Sequence, residues 1–387
     1  MRLLAIDPSD PFVVAAAVPA ALDGAGPLAL GFDPAGHAVP DGTAVVIATS
    51  GSTGVPKRVV LSGDALRASA EATARRIGSG QWMLALSAGY VAGLQVLVRS
   101  HIAGTVPVLL EGRFTPAAFT HATAALRGEG ERFTSLVPAQ LATLVAAADS
   151  PEVRAALAAY DAILIGGQAL PLPLRERAAD LGARIVRTYG SSETAGGCVY
   201  DGVPLDGVRV EPVDGELRIA GATVADGYLG DPELTARTFP LDGAGTRWYR
   251  TGDLGEVDAG VVRVTGRADN VIVSGGINVS LDRVERAVRA VPRLEDAVVV
   301  PIPDERWGQG SAIVAAARPG ARESELLAAA RDRVAAEVGP AARPSRILLV
   351  AALPQLASGK PDRRAIAALA NGAGIHLPAD VQTDPLA

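Results

Sequence analysis

The sequence predicts an α/β, multidomain chain. It has a large N-terminal α/β domain with parallel-rich sheets and a small β-barrel region, followed by a small C-terminal α+β domain. Three observations predict this. Between residues 43 and 187, short β-branched runs alternate with helical segments, as in a parallel-rich sheet covered by helices. Between about 207 and 265 the segments shorten, alternate in polarity and are punctuated by Gly, which reads as antiparallel strands in a small barrel or distorted sheet. From about 270 a second set of strands and helices runs for roughly 100 residues, enough for a small domain.

Residues 1–40 read as short apolar pieces separated by Pro and Gly. The run 44–48 is a buried strand that ends in a Gly/Ser/Thr-rich loop, 49–57. A helix spans 62–77 with Ser62 or Asp64 as its cap. Then come strand 82–86, helix 92–103 and strand 106–110, and the alternation continues through 114–126, 133–136, 138–147, 162–165, 171–181 and 184–187. In the second unit the sequence predicts strand 271–275, helix 280–290, strands 295–300 and 312–317, helix 323–338 and strand 346–350. The expected domains are 1–268 and 269–370, with 371–387 as a loose tail without periodicity.

The 387 residues are 49% hydrophobic and 20% charged, which excludes a wholly disordered chain. Thirty-six basic against 42 acidic residues give a net charge of −6, so neither nucleic acid nor an anionic membrane is an expected partner. The single cysteine, Cys198, excludes an intrachain disulfide and a cysteine-cluster metal site, and suits a reducing compartment. No run approaches 18 apolar residues, and Asp7, Pro8, Ser9, Asp10 and Pro11 interrupt the N-terminus as a signal peptide, so the expected location is cytoplasmic. The histidines, His37, His101, His121 and His376, fall in no motif.

Only two of the 36 basic residues are lysines, Lys57 and Lys360. A chain that uses arginine almost everywhere else keeps an ammonium where a compact point charge is needed. Lys57 closes a loop of hydroxyls and glycines, Thr49-Ser50-Gly51-Ser52-Thr53-Gly54-Val55-Pro56-Lys57. Glycines let backbone N–H groups curl around an anion, and the hydroxyls and the ammonium add donors, so this is phosphate-binding chemistry. It is not the Walker A pattern, because Gly51 and Gly54 are three apart and Arg58 follows the lysine.

Four further motifs follow in order. Tyr189-Gly190-Ser191-Ser192-Glu193-Thr194 ends a strand and puts a carboxylate beside hydroxyls, which suits magnesium carrying phosphate oxygens. Tyr249-Arg250-Thr251-Gly252-Asp253 places an aspartate in a tight turn, where it can accept both hydroxyls of a ribose. Gly266-Arg267-Ala268-Asp269 lies at the domain joint and fits a hinge. The last motif, 354–363, sets Lys360 on a Gly/Ser/Pro loop after the final strand.

Together these motifs resemble the adenylate-forming, AMP-binding enzymes, which include acyl-CoA synthetases, and the match spans 49–363, about four-fifths of the chain. Ser192 stands where the family has Thr, and Leu356 replaces the usual Thr of the last motif. The resemblance implies an acid–thiol ligase that uses ATP, Mg2+ and CoA, with a mobile C-terminal domain. It implies that Ser50, Ser52, Thr53 and Lys57, in the loop with Thr49, Gly51 and Gly54, cradle the β- and γ-phosphates. Ser192 would meet the α-phosphate and Glu193 the magnesium. Gly166, Gly167, Gln168 and Tyr189 would line the adenine, with Gly190 and Thr194 in the same nucleotide motif. Asp253 and Arg267 would hold the ribose and Asp269 would be the hinge. Lys360 would bridge the carboxylate and the α-phosphate, and Ser274, Gly275 and Gly276 would face the pantetheine.

Only 48 residues precede the phosphate loop. That short start and the stretches AGLQVLVRS (92–100) and TSLVPAQLATLV (134–145) resemble the compact actinobacterial o-succinylbenzoate–CoA ligases of menaquinone biosynthesis. Tyr90 occupies the place where larger relatives have His. Tyr90, Gln95, Ser135 and Gln140 are the candidate contacts to the small-molecule carboxylic acid, with core packing as the alternative reading of each. Another aryl- or acyl-CoA ligase, a carrier-protein-loading enzyme, a noncatalytic nucleotide-binding regulator and a phosphotransferase stay open at this level, as does a homodimer.

Overall fold

In the computed structural model, which describes residues 1–49, 57–127, 130–356 and 360–372, the N-terminal segment read as broken apolar pieces holds a helix, Pro11–Leu22. The residues that read as interruptions start it. The Asp10 carboxylate caps the N–H groups of Phe12 (2.9 Å) and Val13 (3.3 Å), and Pro11 takes the first turn, where no amide hydrogen is needed. Helix Gly63–Ile77 is capped by Ser62, whose hydroxyl accepts from the Ala65 N–H at 3.2 Å.

The chain divides into two units, Met1–Val264 and Thr265–Ala387. Among the described residues the first contains a seven-stranded sheet ordered Val203–Pro204, Gly196–Tyr200, Ile185–Ser191, Ala162–Ile165, Glu131–Leu136, Gly80–Leu84 and Val108–Leu109. The last five of these run parallel and the first two pair antiparallel. Buried strands such as Ala162–Ile165 are continuous apolar runs because both faces are covered. A second sheet orders Leu4–Ile6, Leu28–Leu30, Thr43–Thr49, Lys57–Ser62 and Gly227–Tyr228.

The antiparallel region holds a four-stranded sheet of Arg209–Val213, Glu216–Ala220, Tyr249–Asp258 and Val261–Arg267. Its register shifts between Glu216 and Arg218, so it takes the distorted-sheet form of the two that the sequence allows. One apolar cluster joins elements of all three sheets, from Leu28 and Ile47 through Leu164 to Leu217.

The second unit sets Ile277–Ser280, Val271–Ser274, Gly308–Ala316 and Val298–Asp304 side by side, with Arg346–Val350 parallel to Gly308–Ala316. Helices Leu281–Arg289 and Glu323–Glu337 pack on one apolar cluster, and Arg363–Ala370 packs on another. Among the described residues no helix is long and apolar enough to cross a membrane. The expected tail, 371–387, lies outside the described residues beyond 372.

Candidate active site

Parallel strands bring their carboxyl ends to one edge, and ligands of such sheets gather there. Strand Ile185–Ser191 delivers Tyr189, Gly190 and Ser191 to that edge. Beside it, Gly166 and Gly167 follow Ala162–Ile165, and the Gly166 N–H donates to the Leu136 carbonyl at 3.4 Å. Gly167 and Gln168 are exposed and half-buried respectively.

A tight turn follows the strand. Ser192–Thr194 is a single 3-10 turn capped by Ser191, whose hydroxyl accepts from the Glu193 N–H at 3.2 Å. The Thr194 hydroxyl accepts from the Ser191 N–H at 2.9 Å and reaches the Gly196 carbonyl at 2.7 Å. Only glycine fits at 190: a Cβ there would come within 2.2 Å of the Gly196 carbonyl oxygen. The turn ends on Ala195 in the left-handed region, at φ 49°. That conformation disfavours an alanine by roughly 1 kcal/mol, and the surroundings must hold it. Gln95, fully buried, does so: its amide donates to the Ala195 carbonyl at 2.8 Å and to the Leu66 carbonyl at 3.3 Å.

Two tyrosines extend the turn. The Tyr189 hydroxyl donates to Asp253 Oδ2 at 2.7 Å. Asp253 is set by its own N–H, which donates to Thr251 Oγ1 at 2.9 Å, and Thr251 in turn donates to the Leu217 carbonyl at 2.7 Å. The Tyr228 hydroxyl donates to Glu193 Oε1 at 2.9 Å. Glu193 is only 8% exposed. Burial, then the charge of the facing carboxylate, holds both phenols well above their usual range, so both remain donors. Lys57 begins strand Lys57–Ser62, and its ammonium lies 5.4 Å from the centre of the Tyr228 ring. Thr49 ends the strand before it, and its hydroxyl donates to the Lys57 carbonyl at 3.3 Å. The intervening Ser50, Gly51, Ser52, Thr53 and Gly54 lie outside the described residues.

This unit therefore brings together Lys57, Tyr189, Ser192, Glu193, Thr194 and Asp253. Among the described residues no cluster of three His, Cys, Asp or Glu occurs. Glu193 fits a magnesium ion that takes one protein carboxylate and draws its other ligands from substrate phosphates and water.

The acid-binding candidates part company. Gln95 and Gln140 are committed to backbone: Gln140 donates to the Ala85 carbonyl at 2.9 Å and accepts from the Val137 N–H at 3.1 Å. Tyr90 is half-buried at the start of helix Val91–Ile102, and Ser135 is buried in strand Glu131–Leu136. One turn beyond Gln95, Arg99 is 7% exposed, with its guanidinium over the Trp82 ring and 3.4 Å from the Tyr200 hydroxyl. Arg99 and Tyr228 were not among the sequence candidates. An arginine inside an apolar helix was the available signal for the first. Tyr228 sits in a two-residue strand with no period to read.

In the second unit, Arg267 makes a two-pronged contact with Asp269, Nε to Oδ1 at 2.8 Å and Nη2 to Oδ2 at 3.1 Å. The Arg267 N–H donates to Asp282 Oδ2 at 2.7 Å, and Asn270 donates to the other oxygen at 2.7 Å. Ser274, Gly275 and Gly276 make a hairpin turn whose glycines, at φ 57° and 81°, take the left-handed region that a two-residue turn needs.

Lys360 is exposed on a loop closed by the Gln355–Pro361 bridge and by the Leu356 N–H donating to the Lys360 carbonyl at 2.8 Å. Arg363 anchors that loop, with Nη2 2.7 Å from Glu285 Oε2 and Nη1 3.1 Å from the Val299 carbonyl. Glu285 is buried and also pairs with Arg289 at 2.9 Å.

Comparison with known proteins follows the same division. The profile of the AMP-binding enzyme family matches residues 9–229, and that of the AMP-binding enzyme C-terminal domain matches 283–360. A probable 2-succinylbenzoate–CoA ligase of Mycobacterium tuberculosis is 44% identical over 339 residues, covering 86% of this chain and 85% of the relative. The 2-succinylbenzoate–CoA ligase of Salmonella typhimurium is 31% identical over 74% of this chain, and the chain spans 61% of that relative. The solved o-succinylbenzoate coenzyme A synthetase of Bacillus subtilis, in complex with AMP, superposes with a TM-score of 0.70. It is 27% identical, over 83% of this chain and 68% of that one.

Proposed function

The chain belongs to the AMP-binding enzyme family, and from that premise we propose that it is an ATP-dependent 2-succinylbenzoate–CoA ligase. The observation that carries the chemistry is the pair of tyrosine–carboxylate contacts flanking one turn, Tyr189 on Asp253 and Tyr228 on Glu193. The first presents a fixed carboxylate to a ribose, and the second presents one to a metal-bound phosphate. The 44% identity to the mycobacterial relative supports the choice of acid.

The reaction has two halves. An oxygen of the acid's aliphatic carboxylate bonds to the α-phosphorus of ATP, the bond to the bridging oxygen breaks, and pyrophosphate leaves. The thiol of CoA then bonds to the acyl carbon, AMP leaves, and the thiol proton passes to solvent. The first half forces two anions together, so donors must offset the charge that builds on the α-phosphate where water is excluded. The proposed donors are the Ser192 hydroxyl and the Lys360 ammonium. Lys57, with the hydroxyls of the loop 49–57, holds the β- and γ-phosphates. When bound, Mg2+ neutralises the departing pyrophosphate. Tyr189, Gly166, Gly167 and Gln168 form the adenine wall, and Arg267 joins Asp253 at the ribose. The proposed second role of the smaller unit is to serve the thioester step, with Asp269 as its joint and Ser274, Gly275 and Gly276 toward the pantetheine.

Arg99 favours an acid with a second negative charge. Its buried guanidinium contacts a phenol and an indole face, both neutral, so a second carboxylate would gain more from it than an alkyl chain would. We propose a cytoplasmic setting, where ATP and CoA are at hand.

The test is a product assay with ATP, magnesium and CoA, comparing 2-succinylbenzoate with benzoate, succinate and medium-chain fatty acids. Pyrophosphate release with formation of the 2-succinylbenzoyl thioester by mass is expected. Release with another acid alone would overturn the substrate, and no release with any acid would overturn the activity.

A further inference from the structure

One side chain touches both charged groups proposed to hold the triphosphate and its metal. Tyr228 donates its hydroxyl to Glu193 Oε1 at 2.9 Å. The Lys57 ammonium lies over the ring of the same residue, 5.4 Å from its centre.

The fold explains why these three meet. Tyr228 pairs with Val59 across antiparallel strands, and Lys57 is two positions from Val59, on the same face of its strand. Lys57 is thus the diagonal neighbour of Tyr228, within reach of an aromatic ring. The Tyr228 backbone is pinned on its other side by Thr235, whose hydroxyl accepts from the Tyr228 N–H at 2.9 Å. Tyr228 is 6% exposed, and its ring packs on Phe239 at a centroid distance of 5.5 Å. The Ala225 N–H donates to the Glu193 carbonyl at 2.9 Å, so the segment before Tyr228 also holds the backbone of Glu193.

We propose that Tyr228 is a positioning residue with two separable tasks: its hydroxyl aims the Glu193 carboxylate at the metal, and its ring face seats the Lys57 ammonium for the phosphates. A hydroxyl donating to Oε1 fixes the rotation of the carboxylate and leaves Oε2 for a cation. Outer contacts of this kind orient metal ligands. A π-face holds an ammonium without neutralising it, as a carboxylate would. Lys57 therefore keeps its charge for the nucleotide, and one ring serves both ends of the triphosphate site.

The inference rests on the ATP chemistry proposed above, and its test separates the two. Full-length wild-type, Tyr228→Phe, Tyr228→Leu, Glu193→Gln and the Glu193→Gln/Tyr228→Phe double variant are compared. Two affinities are measured: Mn2+ for the complex with α,β-methylene-ATP, by electron paramagnetic resonance, and the same nucleotide in EDTA, by calorimetry. Tyr228→Phe keeps the ring and should lower Mn2+ affinity by about 10- to 100-fold while leaving metal-free nucleotide affinity unchanged. Tyr228→Leu should lose about 3- to 10-fold in metal-free affinity as well, because the seat for Lys57 is gone. The double variant should match Glu193→Gln in Mn2+ affinity, since the hydroxyl acts through that carboxylate.

Wild-type Mn2+ affinity in Tyr228→Phe would overturn the proposal. So would an equal loss of metal-free affinity in Tyr228→Phe and Tyr228→Leu, which a merely structural role would give. A wild-type enzyme that binds neither nucleotide nor Mn2+–nucleotide would overturn the ligase reading itself.

Discussion

The Tyr189 hydroxyl meets Asp253 Oδ2 at 2.7 Å across 64 positions of sequence. That bond ties the carboxyl end of strand Ile185–Ser191 to the turn in strand Tyr249–Asp258, so two motifs far apart in the chain become one wall. Tyr189→Phe removes the donor and lets the carboxylate rotate. The KM for ATP should rise about 10- to 100-fold, the worth of one hydrogen bond to a charged group at about 1.5–3 kcal/mol, with little change in kcat. Pyrophosphate release against ATP concentration measures it, and an unchanged KM would show that the Tyr189 hydroxyl does not position Asp253 for the nucleotide.

Gln95 holds the left-handed Ala195 from a helix 100 residues away. Gln95→Leu fills the space but leaves the Ala195 carbonyl buried without this donor. A loss of about 1–3 kcal/mol in stability is expected, and adenylation should slow because Ser192 and Glu193 ride on the same turn. Chemical denaturation and single-turnover adenylation read the two effects. Full stability with a change only in acid preference would make Gln95 a substrate contact instead.

Lys360→Ala should lower adenylate formation by about 100-fold or more, the scale of losing one donor to developing charge. Attack of CoA on supplied acyl-adenylate should be largely spared. Equal loss in both half-reactions would remove Lys360 from the adenylation step.

Burial pushes the Cys198 thiol up to about 12, from an ordinary value near 8.5. Burial likewise raises the phenols of Tyr189, Tyr228 and Tyr249. The folded state therefore keeps protons that the unfolded chain releases. That stabilisation is complete below about pH 8.5 and drains as the pH climbs toward about 12. The Tm should hold between about pH 7 and 8 and fall steadily above about 9. Native protein at about pH 8.5 should resist iodoacetamide, whereas urea-unfolded protein should react. A flat Tm to about pH 10.5 would contradict the shifts.

What could be read from sequence followed from periodicity and local chemistry. Helix Leu281–Arg289, capped by Ser280, and strand Arg346–Val350 stand where their patterns put them. The motifs proposed to bind the nucleotide stood out because glycines, hydroxyls and a lysine crowd into short loops. Helix Pro11–Leu22 was missed because Asp10 and Pro11 start helices as readily as they break them, and only the capping geometry distinguishes the two. Tyr228 was missed because its place beside Lys57 comes from a pairing with Val59, more than 160 positions away, which no local pattern carries. The backbone bonds of Gln95 depend on its helix meeting Leu66 of another helix and Ala195 at the end of a distant turn. Arg363 read as part of a lysine loop, but it also satisfies the buried Glu285, a partner 78 positions earlier.

The scarcity of lysine has a practical side. The chain offers an amine-directed ester only three targets, the N-terminus, Lys57 and Lys360. The N-terminal ammonium is engaged with the Val39 carbonyl at 2.6 Å, Lys57 is half-buried over a ring, and Lys360 is exposed. Lysine labelling is therefore a footprint of the proposed chemistry rather than of the surface at large. Tethering the enzyme to a resin through its lysines would consume the two ammonium groups proposed to meet the nucleotide.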